Sequence, residues 1–335
     1  MNAGLKFGLW YSLRNPAQWH RPYPEIYAET LRQIAWAETI GYDDVWLTEH
    51  HFCEDGHAPS ILPLAAAVAA RTTRIRIGTS VLLLPLHHAV RVAEDAAAID
   101  ILSNGRFDLG VGIGYRPQEF SGFGLTPKSR AGRMDEGLEI IRALWQGETV
   151  RYHGKHYHVE DAKLSPLPVQ QPMPLWVGGF APASARRAAR FGDGYIGTGD
   201  MSALVKIYRD ELARLGKPDR GRVAGGHFWL ITSHEPERTF AQVAPGVLYQ
   251  IQMYNHWLRE AGQALFPEIT HPDDLAKRGI LSVVTPVQAV DMIGQYVEAT
   301  GIERYYTWTV PPGMPEAQMN EYLQLFAEEV MPKFR

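Results

Sequence analysis

Short β-type runs and helical runs alternate along almost the whole of this 335-residue chain, and that alternation restricts the fold more than any other feature. Lys6–Ser12, Asp44–Thr48, Arg74–Leu84 and Arg106–Ile113 read as strands, separated by helices at Tyr23–Ile40, Ser60–Arg71 and Ala89–Leu102, with a further helix at Arg130–Trp145. Arg74–Leu84 is β-branched and apolar, as befits a strand covered on both faces. After Gly147 the pattern breaks. Thr149–Val159 alternates around Gly154 as a surface hairpin, and the proline-rich Leu164–Pro174 cannot be helical. Alternation then resumes with strands at Leu175–Gly178, Tyr195–Thr198 and Arg222–Thr232 and helices at Pro182–Arg190 and Ser202–Leu215. A helix at Thr285–Thr300, a strand at Arg304–Val310 and a closing helix at Glu316–Val330 complete the chain.

Eight strands in this order predict an α/β fold, a (β/α)₈ barrel forming one domain over residues 1–335. It carries a hairpin insertion at about 148–160 and a helical insertion at about 235–284, before the eighth strand. A doubly wound open sheet would produce the same alternation. Charge is spread evenly, 33 basic against 37 acidic residues, with no basic stripe for nucleic acid or an anionic membrane. No apolar run reaches the length of a membrane span. The single cysteine, Cys53, excludes an internal disulfide framework, so a reducing, cytoplasmic setting is expected.

In a barrel, function belongs to the C-terminal strand ends. Those ends read Trp10-Tyr11-Ser12, Glu49-His50-His51-Phe52, Thr79-Ser80-Val81 with His87-His88 beyond, Gly110 to Tyr115, Gly178-Gly179 and Trp308. The rim is aromatic and rich in His and Gly, which suits a planar, apolar ligand needing a proton-transfer group. Neighbours on a strand end point to opposite faces, so only one of His50 and His51 faces the axis, and a packed or loop-bonded histidine is the competing reading. A hydrolytic metal centre is not expected, because strand one carries no ligand pair. His153, His156 and His158 have metal-like spacing but lie on the surface hairpin without a ligating partner cluster, so no metal is expected there either. The Gly110–Gly114 run lacks dinucleotide spacing and instead lets backbone approach a flat ligand. Leu175 to Ser184 (LWVGGFAPAS) ends a strand in two glycines and starts a helix at Pro182, a phosphate site or a plain turn.

With those residues placed, the chain resembles the bacterial luciferase-like monooxygenase family over nearly its whole length. The resemblance rests on Trp46 to Phe52 (WLTEHHF), Ile77 to Val81 with Pro85 and His88, Ala93 to Asp95, and Asp100 to Phe107. It continues through Gly114-Tyr115 with Glu119-Phe120, Trp176 to Gly179 with Ser184, Ala188 to Gly194, and Phe326 to Pro332.

This resemblance implies reduced FMN that forms a C4a-peroxyflavin with O₂ and oxygenates a small, largely apolar organic substrate. It implies His50 as the catalytic histidine and a non-prolyl cis peptide near Ser80-Val81 beneath the ring. Cofactor contacts are expected from Thr79, Ser80, Val81, Glu94, Gly112, Tyr115, Gly178, Gly179, Ala181 and Ser184. Trp10, His51, His88, Trp229 and Trp308 are expected to line the substrate pocket. Ile113 stands where many relatives carry a phosphate-binding arginine, and Arg116 is the loop cation that could replace it. Reduced FMN is expected from a separate reductase, and a homodimer is implied. Two other readings stay open: a deazaflavin-dependent oxidoreductase of the same barrel type, and a non-catalytic flavin-binding protein.

Overall fold

The computed structural model describes residues 4–263 and 268–335, so residues 264–267 of the expected insertion lie outside the described residues. From the N-terminus the strands are β1 (Lys6–Tyr11), β2 (Asp44–Leu47), β3 (Arg76–Thr79), β4 (Phe107–Val111), β5 (Thr149–His153) and β6 (His158–Lys163). They continue as β7 (Leu175–Gly178), β8 (Gly194–Ile196), β9 (Val223–Gly225), β10 (Trp229–Thr232), β11 (Leu281–Val284) and β12 (Arg304–Trp308). The helices are α1 (Tyr23–Thr39), α2 (Ile61–Arg71), α3 (Ala89–Leu102), α4 (Pro117–Gly122), α5 (Arg130–Trp145) and α6 (Pro182–Phe191). After them come α7 (Ser202–Arg214), α8 (Pro236–Glu260), α9 (Pro272–Lys277), α10 (Pro286–Thr300) and α11 (Glu316–Leu325).

Eight of the strands close into a parallel barrel in the order β1-β12-β9-β8-β7-β4-β3-β2. The open-sheet alternative is therefore excluded. Residues such as Val45, Ile77 and Leu109 are fully buried in the layer between barrel and helices. The axis is filled by indoles that meet glycines in register. Trp46 on β2 lies opposite Gly78 on β3, and Trp176 on β7 lies opposite Gly194 on β8. A Cβ on Gly78 or Gly194 would sit 2.3 Å from the facing indole, so the missing side chains are what make room for the rings. Trp46 Nε1 donates to Asp44 Oδ1 at 2.6 Å, and Arg304 Nη1 lies 2.9 Å from Asp44 Oδ2. This packed plug leaves the opposite, C-terminal rim as the place for a ligand.

Two expectations are corrected. Arg222–Thr232 is not one strand: β9 ends at Gly225, and β10 leaves the barrel to pair in parallel with β11. A Cβ on Gly226 would lie 2.1 Å from the Tyr306 carbonyl oxygen, so the chain turns where two backbones crowd. The insertion is also not purely helical, because it ends in β11. The hairpin β5–β6 forms on the surface as expected, and His153 on it is 62% exposed. No described helix is long and apolar enough to cross a membrane.

Candidate active site

The first layer of the mouth is aromatic. Trp10, at the end of β1, stacks on Trp308, at the end of β12, with ring centroids 3.7 Å apart. Trp10 Nε1 donates to the Ser80 carbonyl at 3.1 Å, which ties the stack to the turn after β3. The Ser80-Val81 peptide is cis, as the resemblance implied. Ser80 Oγ is 3.3 Å from the Tyr306 hydroxyl, and Thr79 Oγ1 donates to the Gly110 carbonyl at 2.7 Å while accepting from the Gly110 amide at 2.9 Å. Val81 is half-buried between two glycines: a Cβ on Gly112 would meet its Cγ2 at 2.4 Å, and one on Gly178 its Cγ1 at 2.7 Å. The absent side chains leave a flat apolar ledge, which a tricyclic ring can cover.

The second layer carries the charge. His50 is 6% exposed, and its Nδ1 lies 2.8 Å from Glu119 Oε1 on α4. The same oxygen accepts the His51 amide at 3.0 Å, and Arg116 Nη1 lies 3.5 Å away. Burial opposes ionisation of Glu119, but His50, the His51 amide and Arg116 together hold its carboxyl below the usual range. Facing a carboxylate, Nδ1 must be the donor, so a neutral His50 presents Nε2 as its basic nitrogen. Behind it, Glu49 Oε1 lies 2.7 Å from both His51 Nε2 and His87 Nε2, and Oε2 accepts the Leu83 amide at 2.6 Å. Burial works against this charge too, yet His87 and His51 pull the Glu49 carboxyl down to about 2.

A third layer comes from α8, which folds back over the rim. Trp257 lies 5.0 Å from the His50 ring and carries the guanidinium of Arg116 at 4.2 Å and that of Arg14 at 4.7 Å. Arg14 forms a buried ion pair with Asp55, which also accepts from Tyr249 on α8 at 3.1 Å. His57, 4.9 Å from the His50 ring, is pushed well below the ordinary histidine range by burial and by the neighbouring Arg14, and stays neutral. Several buried polar atoms here have no partner among the described residues: Arg14 Nε and Nη2, Arg116 Nε, the Tyr115 hydroxyl, Glu119 Oε2 and Trp229 Nε1. Unpaired buried groups of this kind are costly and ask for a ligand or water.

The structure brings together His50, His51, Thr79, Ser80, Val81, Gly112, Tyr115, Trp10 and Trp308 around this mouth. Trp229 on β10 is fully buried and packs behind the mouth, its ring 6.2 Å from that of Trp308. Gly178, Gly179, Ala181 and Ser184 form the expected β7–α6 turn, with Gly179 at φ +147°. The Ser184 hydroxyl is already used, donating to the Ala181 carbonyl at 2.6 Å, so an anion there would be met by backbone amides. Of the two arginines that follow, Arg187 is committed to Asp135 at 2.5 Å, while Arg186 is exposed.

Three expectations fail. Glu94 lies on the outer face of α3, its side chain 51% exposed and paired with Arg91. His88 is exposed at the start of α3, against Tyr157 of the hairpin at 5.6 Å. Arg116 does not serve a phosphate near α6: its Nη1 donates to the His51 carbonyl at 2.7 Å, on the β2 side of the mouth. Glu119 was visible in sequence only beside Phe120. Arg14, Asp55, His57, Tyr254 and Trp257 carried no sequence signal, since their roles depend on chain segments meeting in space.

The profile of the family described as luciferase-like monooxygenase matches residues 5–301. The chain is 40% identical over 336 residues to the F420-dependent glucose-6-phosphate dehydrogenase of Beutenbergia cavernae, covering 92% of this chain and 93% of that protein. It is 25% identical over 332 residues to the oxygenase component of the flavin-dependent trigonelline monooxygenase of Acinetobacter baylyi, covering 92% and 90%. Among solved structures it is similar to monooxygenase RslO1 from Streptomyces bottropensis, with a TM-score of 0.82, 26% identity and coverage of 99% and 100%.

Proposed function

The chain belongs to the luciferase-like monooxygenase family, whose relatives use flavin or the deazaflavin F420, and we propose that it is the oxygenase component of a two-component monooxygenase. In this reading it uses reduced FMN and O₂ to oxygenate a small, largely apolar organic substrate. The observation that carries the reading is the Glu119-anchored His50 at the edge of an aromatic mouth covered by α8. Such a mouth keeps water from the reacting atoms.

The Val81 ledge, Gly112 and Gly178 fit the isoalloxazine, and the Gly179, Phe180 and Ala183 amides, with Arg186 in the next turn, fit its phosphate; Pro182 has no N–H, and the Ala181 and Ser184 amides are already used within the turn. When bound, reduced FMN supplies the electron pair that lets one oxygen atom enter the substrate and the other leave as water. His50 Nε2 accepts and returns a proton at the ring edge, while Glu119 holds the imidazole and steadies its charged form. Trp10 and Trp308 offer the substrate an apolar wall, with Trp229 packed behind it. The reduced cofactor arrives from a separate reductase, and the chain acts as a homodimer in the cytoplasm.

A second reading, hydride transfer to or from F420, is favoured by the Beutenbergia cavernae relative. Parallel titrations with FMN, reduced FMN and F420 decide between them, followed by O₂ uptake and cofactor absorbance. The first reading expects tight binding of reduced FMN, O₂ uptake matched by oxygenated product, and loss of product but not of binding in His50→Ala. Tight F420 binding with no response to reduced FMN would replace it with the second.

A further inference from the structure

Glu49, His51 and His87 form a convergent donor set that none of the proton chemistry above requires. Their ligand atoms lie within 4.8 Å of one another, the only such group among the described residues. They come from two separate segments, the loop after β2 and the turn that precedes α3. The Glu49 side chain is 1% exposed and His51 8%, whereas His87 is 27% exposed, so the set is buried on one side and open to solvent on the other. Glu49 Oε2 is held by the Leu83 amide at 2.6 Å, which turns Oε1 toward both imidazoles. That is a carboxylate oriented by a backbone donor, as outer-shell contacts orient metal ligands.

We propose that Glu49, His51 and His87 bind one divalent transition-metal ion, of the zinc or cobalt type, through Glu49 Oε1 and the two Nε2 atoms. Two imidazoles and one carboxylate suit Zn²⁺ or Co²⁺ rather than Mg²⁺ or Ca²⁺, which prefer oxygen alone. Three protein ligands leave a fourth, solvent-facing position for water. The donors now stand 2.7 Å apart across Oε1, and bonds of about 2.0–2.2 Å would need them to spread by a few tenths of an ångström. The exposed His87 side chain can supply that movement. A bound ion ties the β2 loop to the β3 turn one residue from His50, and so fixes the loop that also gives its His51 amide to Glu119. The site is independent of which redox cofactor the mouth takes.

Tag-free protein is treated with chelator, desalted, and titrated with Zn²⁺ and with Co²⁺. One ion per chain should bind, and the Co²⁺ form should show the strong visible absorption of a four-coordinate site. Loss of outer-shell contacts alone weakens metal sites by about 10–100-fold, so His87→Ala and Glu49→Gln should each exceed ~100-fold. Zn²⁺ should raise the melting temperature of the wild type and not of either variant. His153→Ala with His158→Ala should leave binding unchanged. Should His87→Ala fail to fold, His87→Asn serves the same comparison. Absence of stoichiometric binding would mean a hydrogen-bonded trio only, and binding that survives both Glu49→Gln and the His87 substitution would place the ion elsewhere. Either result overturns the proposal.

Discussion

His50 Nδ1 lies 2.8 Å from Glu119 Oε1, although the two residues are 69 positions apart in the chain. The contact assigns the proton on His50, since a carboxylate can only accept, and it leaves Nε2 as the free nitrogen of the neutral ring. It also joins the loop after β2 to α4, beyond β4, through one buried hydrogen bond.

Glu119→Gln keeps the shape of this side chain and removes its charge. Turnover should fall by about 10–100-fold, within the range general acid–base groups contribute, while cofactor affinity changes little. Steady-state kinetics with a cofactor titration checks both parts. An unchanged rate would show that Glu119 is structural only.

Trp257→Leu keeps an apolar but smaller side chain and removes the ring that carries Arg14 and Arg116. Each such contact is worth about 0.5–2 kcal/mol, so unfolding midpoints should drop measurably. With the cover loosened, O₂ consumption should be less well coupled to product and more hydrogen peroxide should appear. Oxygen electrode and product assays on the same sample test this.

Glycine positions test the packing argument at two depths. Gly78→Ala places a methyl 2.3 Å from the Trp46 ring deep in the barrel and should destabilise by about 1–3 kcal/mol. Gly178→Ala would press on Val81 Cγ1 at 2.7 Å and tilt the ledge, so it should weaken flavin binding more than it lowers the melting temperature. Denaturant midpoints and cofactor dissociation constants separate the two effects.

His227 lies 2.8 Å from the Tyr305 hydroxyl, and burial pushes its pKa down to about 4. The unfolded chain takes up this proton near pH ~6.5, so the native state binds fewer protons between those values. Stability from the neutral ring is complete above the upper value and is lost as pH falls through the lower one. His227→Asn should flatten that part of the stability–pH curve, measured by urea midpoints from neutral to acid pH.

Much of the barrel was legible because β and α periodicities differ and each strand and helix must bury one side. The strand ends that held His50, Ser80-Val81 and Gly178-Gly179 followed from the same pattern. The break after Gly225 was marked only by the Gly225-Gly226 pair inside an otherwise strand-like Arg222–Thr232, and it is crowding by the Tyr306 backbone that turns the chain out of the barrel there. Glu94 and His88 looked equivalent to mouth residues until α3 was placed, because which stripe of a helix faces inward depends on what it packs against.

The sequence by itself determined the alternating elements, the closed-barrel expectation and the rim on which an imidazole and two glycine turns would meet. Only the tertiary structure decided that Glu119 anchors His50, that α8 returns to cover it with Trp257, and that His87 joins Glu49 and His51. Periodicity is a local property, set within a few residues by backbone geometry. Pairings between distant side chains depend on how completed elements pack, and the spacing of residues along one chain does not encode that directly.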